Sequence, residues 1–66
     1  SLLGQLPHLQ EQVLRMRYGM DGEDPMSLTG IGRILGMSRD RVRNLERDGL
    51  AGLRRISDQV EAYVAV

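Results

Sequence analysis

Residues 27–46 read SLTGIGRILGMSRDRVRNLE, and this stretch decides the fold. Its first part has apolar residues at helical spacing, Leu28, Ile31 and Leu35, behind a serine that can cap a helix N-terminus. Gly36 can adopt the positive φ that ends such a helix. The pattern therefore predicts one helix, a tight turn and a second helix.

The second predicted helix, which Ser38 can cap, has one apolar and one polar face. The apolar positions are Val42, Leu45, Gly49 and Leu53. The polar positions are Arg39, Asp40, Arg43, Asn44 and Arg47. Three of these are arginines spaced four residues apart, and like charges at that spacing destabilise a helix by roughly 0.2–0.5 kcal/mol per pair. We therefore predict that the polar face contacts a partner. DNA is favoured, because a helix-turn-helix places its second helix in the major groove, and protein is the alternative.

The charges of the chain are unevenly distributed. The 66 residues carry nine arginines and nine acidic residues, so the net charge is zero. Residues 33–55 hold seven arginines and three acids, a net charge of +4, and the rest of the chain carries −4. A neutral domain with this distribution still presents a basic surface to an anion.

No combination of side chains indicates catalysis, a metal or a cofactor. The chain has no cysteine, and its one histidine, His8, has no second His or Cys as a zinc partner. Asp21, Glu23 and Asp24 lack the spacing of a calcium-binding loop. No nucleophile has a base near it in sequence. We therefore predict a protein that is not an enzyme and binds neither metal nor cofactor.

The whole chain, residues 1–66, is predicted to form one all-α domain of four to five helices. We expect the first helices within 1–19, a loop at 20–26, the helix-turn-helix at 27–54 and a C-terminal helix at 56–66. Pro7 is predicted at the first helical position of the main N-terminal helix, and Gly19 at its end. The apolar stripe of that helix is predicted to be Leu6, Leu9, Val13 and Met16. A single core of this size rarely supplies more than about 3–5 kcal/mol.

Two strings at a fixed separation carry a family resemblance. Residues 13–21 read VLRMRYGMD and residues 38–46 read SRDRVRNLE, with Ser-Leu at 27–28 and Ile-Gly at 31–32 between them and Leu50, Leu53 and Arg54 after them. The chain resembles region 4 of bacterial RNA polymerase sigma factors of the sigma-70 family. The match runs from about Leu6 to Arg55 without a gap.

The resemblance implies a cytoplasmic, monomeric domain that reads the promoter minus-35 element and docks on the β subunit of core RNA polymerase, with no membrane contact. It assigns four residues to base edges in the major groove: Arg39, Asp40, Arg43 and Asn44. It assigns six to phosphates: Arg17, Leu28 through its backbone N–H, Thr29, Ser38, Arg41 and Arg47. It assigns Leu9, Val13 and Tyr18 to a hydrophobic pocket for the flap-tip helix of the β subunit. Activators or an anti-sigma factor are further possible partners.

The chain departs from the primary-type relatives at several positions. Asp40 and Asn44 stand where those relatives carry Glu and Gln, so each side chain is one methylene shorter. Asp48-Gly49 stands where those relatives have a basic residue followed by Ala, and Ala51-Gly52 where they have a basic pair. Each glycine within a helix costs about 0.5–1 kcal/mol relative to Ala. These differences indicate an alternative sigma factor close to the primary type, with relaxed or altered minus-35 dependence.

Two rival functions are consistent with the same pattern. The first is a stand-alone helix-turn-helix regulator that reads a paired site as a dimer. The second is a helix-turn-helix domain that binds an anti-sigma factor or activator instead of DNA, which the acidic residues Asp40 and Asp48 favour. The substitution Arg43→Ala discriminates between DNA binding and protein binding.

Overall fold

The computed structural model describes residue 4, residues 6–20 and residues 22–64, and side chains are described no further than residue 60. Within these residues it has three helices, α1 (His8–Tyr18), α2 (Leu28–Leu35) and α3 (Arg39–Val64), and no strand. The all-α prediction is confirmed, although the described helices number three where four to five were predicted. Most of the segment before Pro7, where the prediction of more than one helix within 1–19 places the earlier helix, lies outside the described residues. None of the described helices has a stretch long and apolar enough to span a membrane.

Helix α1 begins one residue later than predicted. Pro7 has an extended backbone, with ψ 140°, and its carbonyl accepts the Glu11 N–H at 3.0 Å, so it precedes the helix rather than occupying its first position. Gly19 ends the helix in the left-handed conformation, with φ 66°, as predicted. The buried residues of α1 are the neighbours Val13 and Leu14, so the helix buries a wider face than the predicted stripe.

The helix-turn-helix has the caps that the sequence predicts. Ser27 Oγ accepts the N–H of Gly30 at 3.0 Å, and Ser38 Oγ accepts the N–H of Arg41 at 3.2 Å. Gly36 ends α2 with φ 69°, which leaves a turn of three residues before α3. The turn folds tightly onto Gly32, where an added Cβ would lie 2.5 Å from the Met37 carbonyl oxygen.

Helix α3 continues without a break to Val64, so the prediction of a separate C-terminal helix at 56–66 is wrong. The segment between Leu53 and Asp58 contains neither Pro nor Gly. Ile56 also lies three residues after Leu53 and packs on the same hydrophobic cluster. Because the core face extends past Leu53 and nothing interrupts the backbone hydrogen bonds, one helix spans both predicted segments.

Among the residues whose side chains the structure describes, the core consists of two clusters. The helix-turn-helix cluster contains the fully buried Val13, Ile31 and Val42. Half-buried residues pack around it: Met16, Met26, Leu28, Leu35, Met37 and Leu45. The Leu14 cluster contains Leu6 and Leu14, against which Leu53 and Ile56 pack. Helix α1 therefore joins both clusters to α3, and the first of them fixes how α3 projects from the domain.

Candidate nucleic-acid interface

The first turns of α3 present a continuous polar surface. Arg39, Asp40, Arg43 and Asn44 are all exposed. Successive residues of an α-helix are rotated by about 100°, so these four lie on the side of α3 opposite the core residues. The structure thus brings together the four residues that the family resemblance assigns to bases.

The arginines of this surface are not neutralised locally. Among the described residues, Arg39, Arg41 and Arg43 have no carboxylate within ion-pair distance, and Asp40 makes no pair with Arg43. A local Asp40–Arg43 pair, three residues apart on the helix, would be the simplest structural explanation of this charged face. Because that pair does not form, both side chains are available to a partner.

The other predicted phosphate ligands differ in availability. Thr29 is exposed and Leu28 is half-buried at the first position of α2, where backbone N–H groups have no partner within the helix. The Ser38 hydroxyl already accepts the cap bond of α3 but keeps its proton to donate. Arg47 Nε lies 3.2 Å from Asp48 Oδ1, in a pair whose side chains are 70% and 51% exposed. Such exposed pairs contribute about 0–1 kcal/mol, so a phosphate can displace this one.

Arg17, also assigned to phosphate, has internal partners that sequence reasoning missed. Its Nε donates to Glu46 Oε2 at 3.2 Å, and its Nη1 donates to the carbonyl oxygen of Met26 at 2.9 Å. The guanidinium therefore connects α1, the loop before α2, and α3. Sequence separation hides this contact, because Arg17 and Glu46 are 29 positions apart.

Tyr18 binds the same carboxylate. Its hydroxyl donates to Glu46 Oε2 at 3.1 Å. Desolvation of the hydroxyl, followed by this hydrogen bond and the charge of Glu46, raises the pKa of Tyr18 above its ordinary value. The phenol is therefore protonated at neutral pH and remains a donor to Glu46.

The three residues predicted to contact the polymerase flap do not form one surface. Val13 is fully buried in the helix-turn-helix cluster, so it belongs to the core and a partner reaches it only if that core opens. Leu9 is half-buried and Tyr18 is 48% exposed. These two lie nine residues apart on α1, which places them on opposite sides of the helix and about 13 Å apart along it.

The structure instead shows a groove between α1, the loop and α2, with a volume of about 460 Å³. Its lining consists of Arg15, Met16, Glu23, Asp24, Met26 and Ile34. Ile34 is 63% exposed, although it is a large apolar residue of α2. Ile34 lies beside the apolar stripe of Leu28, Ile31 and Leu35 and not within it. This position is the feature of the sequence from which the groove could have been predicted.

Two capped helices joined by a three-residue turn, with a polar and exposed second helix, define a helix-turn-helix domain. Residues 2–55 match the family model described as "Sigma-70, region 4". The chain is 42% identical over 65 residues to RNA polymerase sigma factor SigA2 of Synechococcus elongatus, covering 98% of this chain and 20% of that protein. It is 38% identical over 54 residues to RNA polymerase sigma factor SigA of Listeria monocytogenes, covering 82% of this chain and 14% of that protein.

A plant protein is similar as well. The chain is 42% identical over 56 residues to the chloroplastic RNA polymerase sigma factor sigD of Arabidopsis thaliana, covering 85% of this chain and 13% of that protein. The chain belongs to the sigma-70 region 4 family. It spans a fifth or less of the length of these relatives.

Proposed function

We propose that this chain is the promoter-reading domain of a sigma factor, which inserts the first turns of α3 into the major groove of the minus-35 element. The domain acts without catalysis of its own, in the cytoplasm and as part of a complex with core RNA polymerase. The observation that carries the proposal is the exposed, locally unpaired set Arg39, Asp40, Arg43 and Asn44 at the start of a capped helix.

The chemistry of these four residues suits base readout. Arg39 and Arg43 each present the planar fork that donates two hydrogen bonds to guanine O6 and N7. The Asp40 carboxylate accepts from cytosine N4, and the Asn44 amide pairs with adenine N6 and N7. Each good pair contributes roughly 1–3 kcal/mol of discrimination against a wrong base.

Phosphate contacts are assigned to groups on either side of this surface. Arg41 is exposed and has no carboxylate partner among the described residues, and Arg47 has only the weak Asp48 pair. Thr29, Ser38 and the Leu28 N–H lie at the N-termini of α2 and α3, where the helix dipoles favour an anion. A few such contacts give a non-specific Kd of about 10⁻⁴–10⁻⁶ M. Tethering to the polymerase is therefore needed to make promoter binding effective.

The direct test is an NMR titration at low salt with a duplex containing TTGACA and with a scrambled duplex. We expect the largest shift changes at Ser38–Arg47, greater for TTGACA, and smaller changes of equal size with both duplexes at Leu28 and Thr29. Arg43→Ala should weaken binding to TTGACA between roughly fivefold and a hundredfold, because it removes one base contact worth about 1–3 kcal/mol. Its effect on the scrambled duplex should be much smaller.

The matched control is Arg55→Ala, which removes an exposed arginine about 18 Å further along α3. It should leave the preference for TTGACA unchanged. Unchanged DNA affinity in Arg43→Ala would instead support the protein-binding alternative. A preference for palindromic duplexes bound by two copies would support the stand-alone regulator.

The groove beside Ile34 is a better candidate for docking on the polymerase than Leu9, Val13 and Tyr18, the three residues that the family resemblance assigns to the flap contact. Its floor includes Met16, Met26 and the exposed Ile34, which suits the apolar face of an incoming helix. We propose this groove as the contact for the flap-tip helix of the β subunit. Activators or an anti-sigma factor are further proposed partners of the domain.

Ile34→Glu tests the docking proposal, since a carboxylate at the groove should abolish binding to an isolated flap fragment while DNA binding persists. The measurement is calorimetric titration with the flap fragment. Val60→Glu is the control, because Val60 is 47% exposed and lies near the far end of α3. Equal effects of the two substitutions would reject the groove as the docking site.

A further inference from the structure

The Arg17–Glu46 ion pair lies at the border of the proposed DNA surface. Glu46 follows Arg43 by three positions, so the two are neighbours on the surface of α3, with Cβ atoms about 5–6 Å apart. Glu46 receives Arg17 Nε at 3.2 Å and the Tyr18 hydroxyl at 3.1 Å. The side chain of Arg17 remains 37% exposed, whereas that of Glu46 is only 16% exposed. A phosphate can thus approach Arg17, whose charge is balanced by the less exposed carboxylate of Glu46.

We infer that Glu46 neutralises Arg17 and so suppresses a sequence-independent phosphate contact, which lowers the affinity of the domain for DNA of any sequence. The inference rests on the proposed DNA binding. A phosphate near this pair meets a net charge of zero, in contrast to Arg41, which has no carboxylate partner among the described residues. Phosphate contacts strengthen binding to every sequence equally, whereas base contacts discriminate. Neutralising one phosphate ligand therefore weakens binding to every sequence by the same factor and leaves discrimination to the base contacts.

The contacts of Arg17 support this role. Its Nε and Nη1 are occupied by Glu46 and by the Met26 carbonyl, so the guanidinium is held from two sides. Nη2 and the second N–H of Nη1 have no described hydrogen bond. The fork that would bind a phosphate with two parallel hydrogen bonds is thus partly used inside the protein.

The test measures the salt dependence of binding to the scrambled duplex. Each phosphate contact contributes about −0.9 to the slope of log K against log salt. Glu46→Gln keeps an acceptor for Arg17 and Tyr18 but removes the charge. We expect it to steepen the slope by about 0.9, so that the affinity ratio between 50 and 200 mM salt rises about 3.5-fold. The preference for TTGACA over the scrambled duplex should stay unchanged, because the added contact strengthens binding to both duplexes equally.

The double variant Arg17→Gln with Glu46→Gln preserves the net charge and should keep the wild-type slope. If its slope instead falls by about 0.9, Arg17 binds phosphate despite Glu46 and the inference is overturned. An unchanged slope in Glu46→Gln, or an absence of any DNA binding in it, also overturns it. Because the readout uses scrambled DNA, a wild type that does not prefer TTGACA refutes the proposed base readout without affecting this test.

Glu11→Gln is the matched control. It removes the carboxylate of another half-buried pair, in which Arg15 Nε lies 3.3 Å from Glu11 Oε1. Arg15 and Arg17 are two residues apart on α1, so their side chains are rotated by about 200°. Arg15 lines the groove beside Ile34 and not the DNA surface. The salt slope of Glu11→Gln should therefore equal that of the wild type, and circular dichroism should show that all variants remain folded.

Discussion

The helix-turn-helix cluster and the Leu14 cluster hold α3 in different ways. In the first, α3 contributes the fully buried side chain of Val42 against Ile31 and Val13. In the second, α3 contributes Leu53 and Ile56 but also two glycines, Gly49 and Gly52, which are buried beneath α1. The first cluster is held by interlocking side chains and the second by the close approach of two helices. Shortening side chains in the helix-turn-helix cluster should therefore destabilise the domain. In the Leu14 cluster, adding a side chain at a glycine should destabilise it.

The largest expected effect comes from shortening a side chain in the helix-turn-helix cluster. Ile31→Ala should destabilise the domain by about 3 kcal/mol, because it leaves a cavity among fully buried neighbours. The total expected for a domain of this size is about 3–5 kcal/mol, so the variant should keep about 0–2 kcal/mol, and up to about half of its molecules should be unfolded at 25 °C. Urea unfolding followed by circular dichroism measures the difference.

Ile56→Ala is the comparison in the second cluster. Ile56 is only half-buried, so we expect it to lose about 1 kcal/mol and to remain folded. An equal decrease in the free energy of unfolding in Ile31→Ala and Ile56→Ala would show that side-chain packing contributes alike in the two clusters, which would contradict the expected difference.

The same difference explains which parts of the fold could be predicted from sequence. The caps at Ser27 and Ser38 and the turn at Gly36 are local, since each depends on residues within four positions of it. Leu14 was missed because it packs against Gly49, which lies 35 positions later in the chain. The continuation of α3 through Ile56 was missed because its packing partners are Leu6 and Leu14 at the other end of the chain.

For the candidate site, the exposure of the α3 side chains could be predicted from the sequence, but the ion pair and hydrogen bonds of Arg17 could not. The polar face of α3 follows from the spacing of Arg39, Arg43 and the core residues alone. The partners of Arg17 depend on how α1 crosses α3, which charge and periodicity do not specify. The assignment of Val13 to a docking surface failed for a related reason, because an apolar residue of α1 is equally suited to the core and to a pocket.

The smallest effects, and the sharpest test of the second cluster, come from its glycines. A Cβ at Gly49 would lie 3.0 Å from Leu14 Cδ1 and 3.3 Å from its Cγ, and Leu14 is fully buried. Alanine gains about 0.8–1 kcal/mol in helix propensity, whereas overpacking a core costs about 1–3 kcal/mol. Gly49→Ala should therefore destabilise the domain by about 1 kcal/mol, measured by thermal unfolding.

Gly52→Ala should have the smaller effect, although its added Cβ would come closer to a neighbour. That neighbour is one methyl group, Leu6 Cδ2 at 2.7 Å, and the next atoms lie at 3.9 and 4.0 Å. Leu6 precedes α1 and remains slightly exposed, so its side chain can turn away, and the gain in helix propensity offsets the displacement. We expect a stability change within about 0.5 kcal/mol of zero. If Gly52→Ala destabilises the domain more than Gly49→Ala, then the rigidity of Leu14 does not decide the response, and distance alone does.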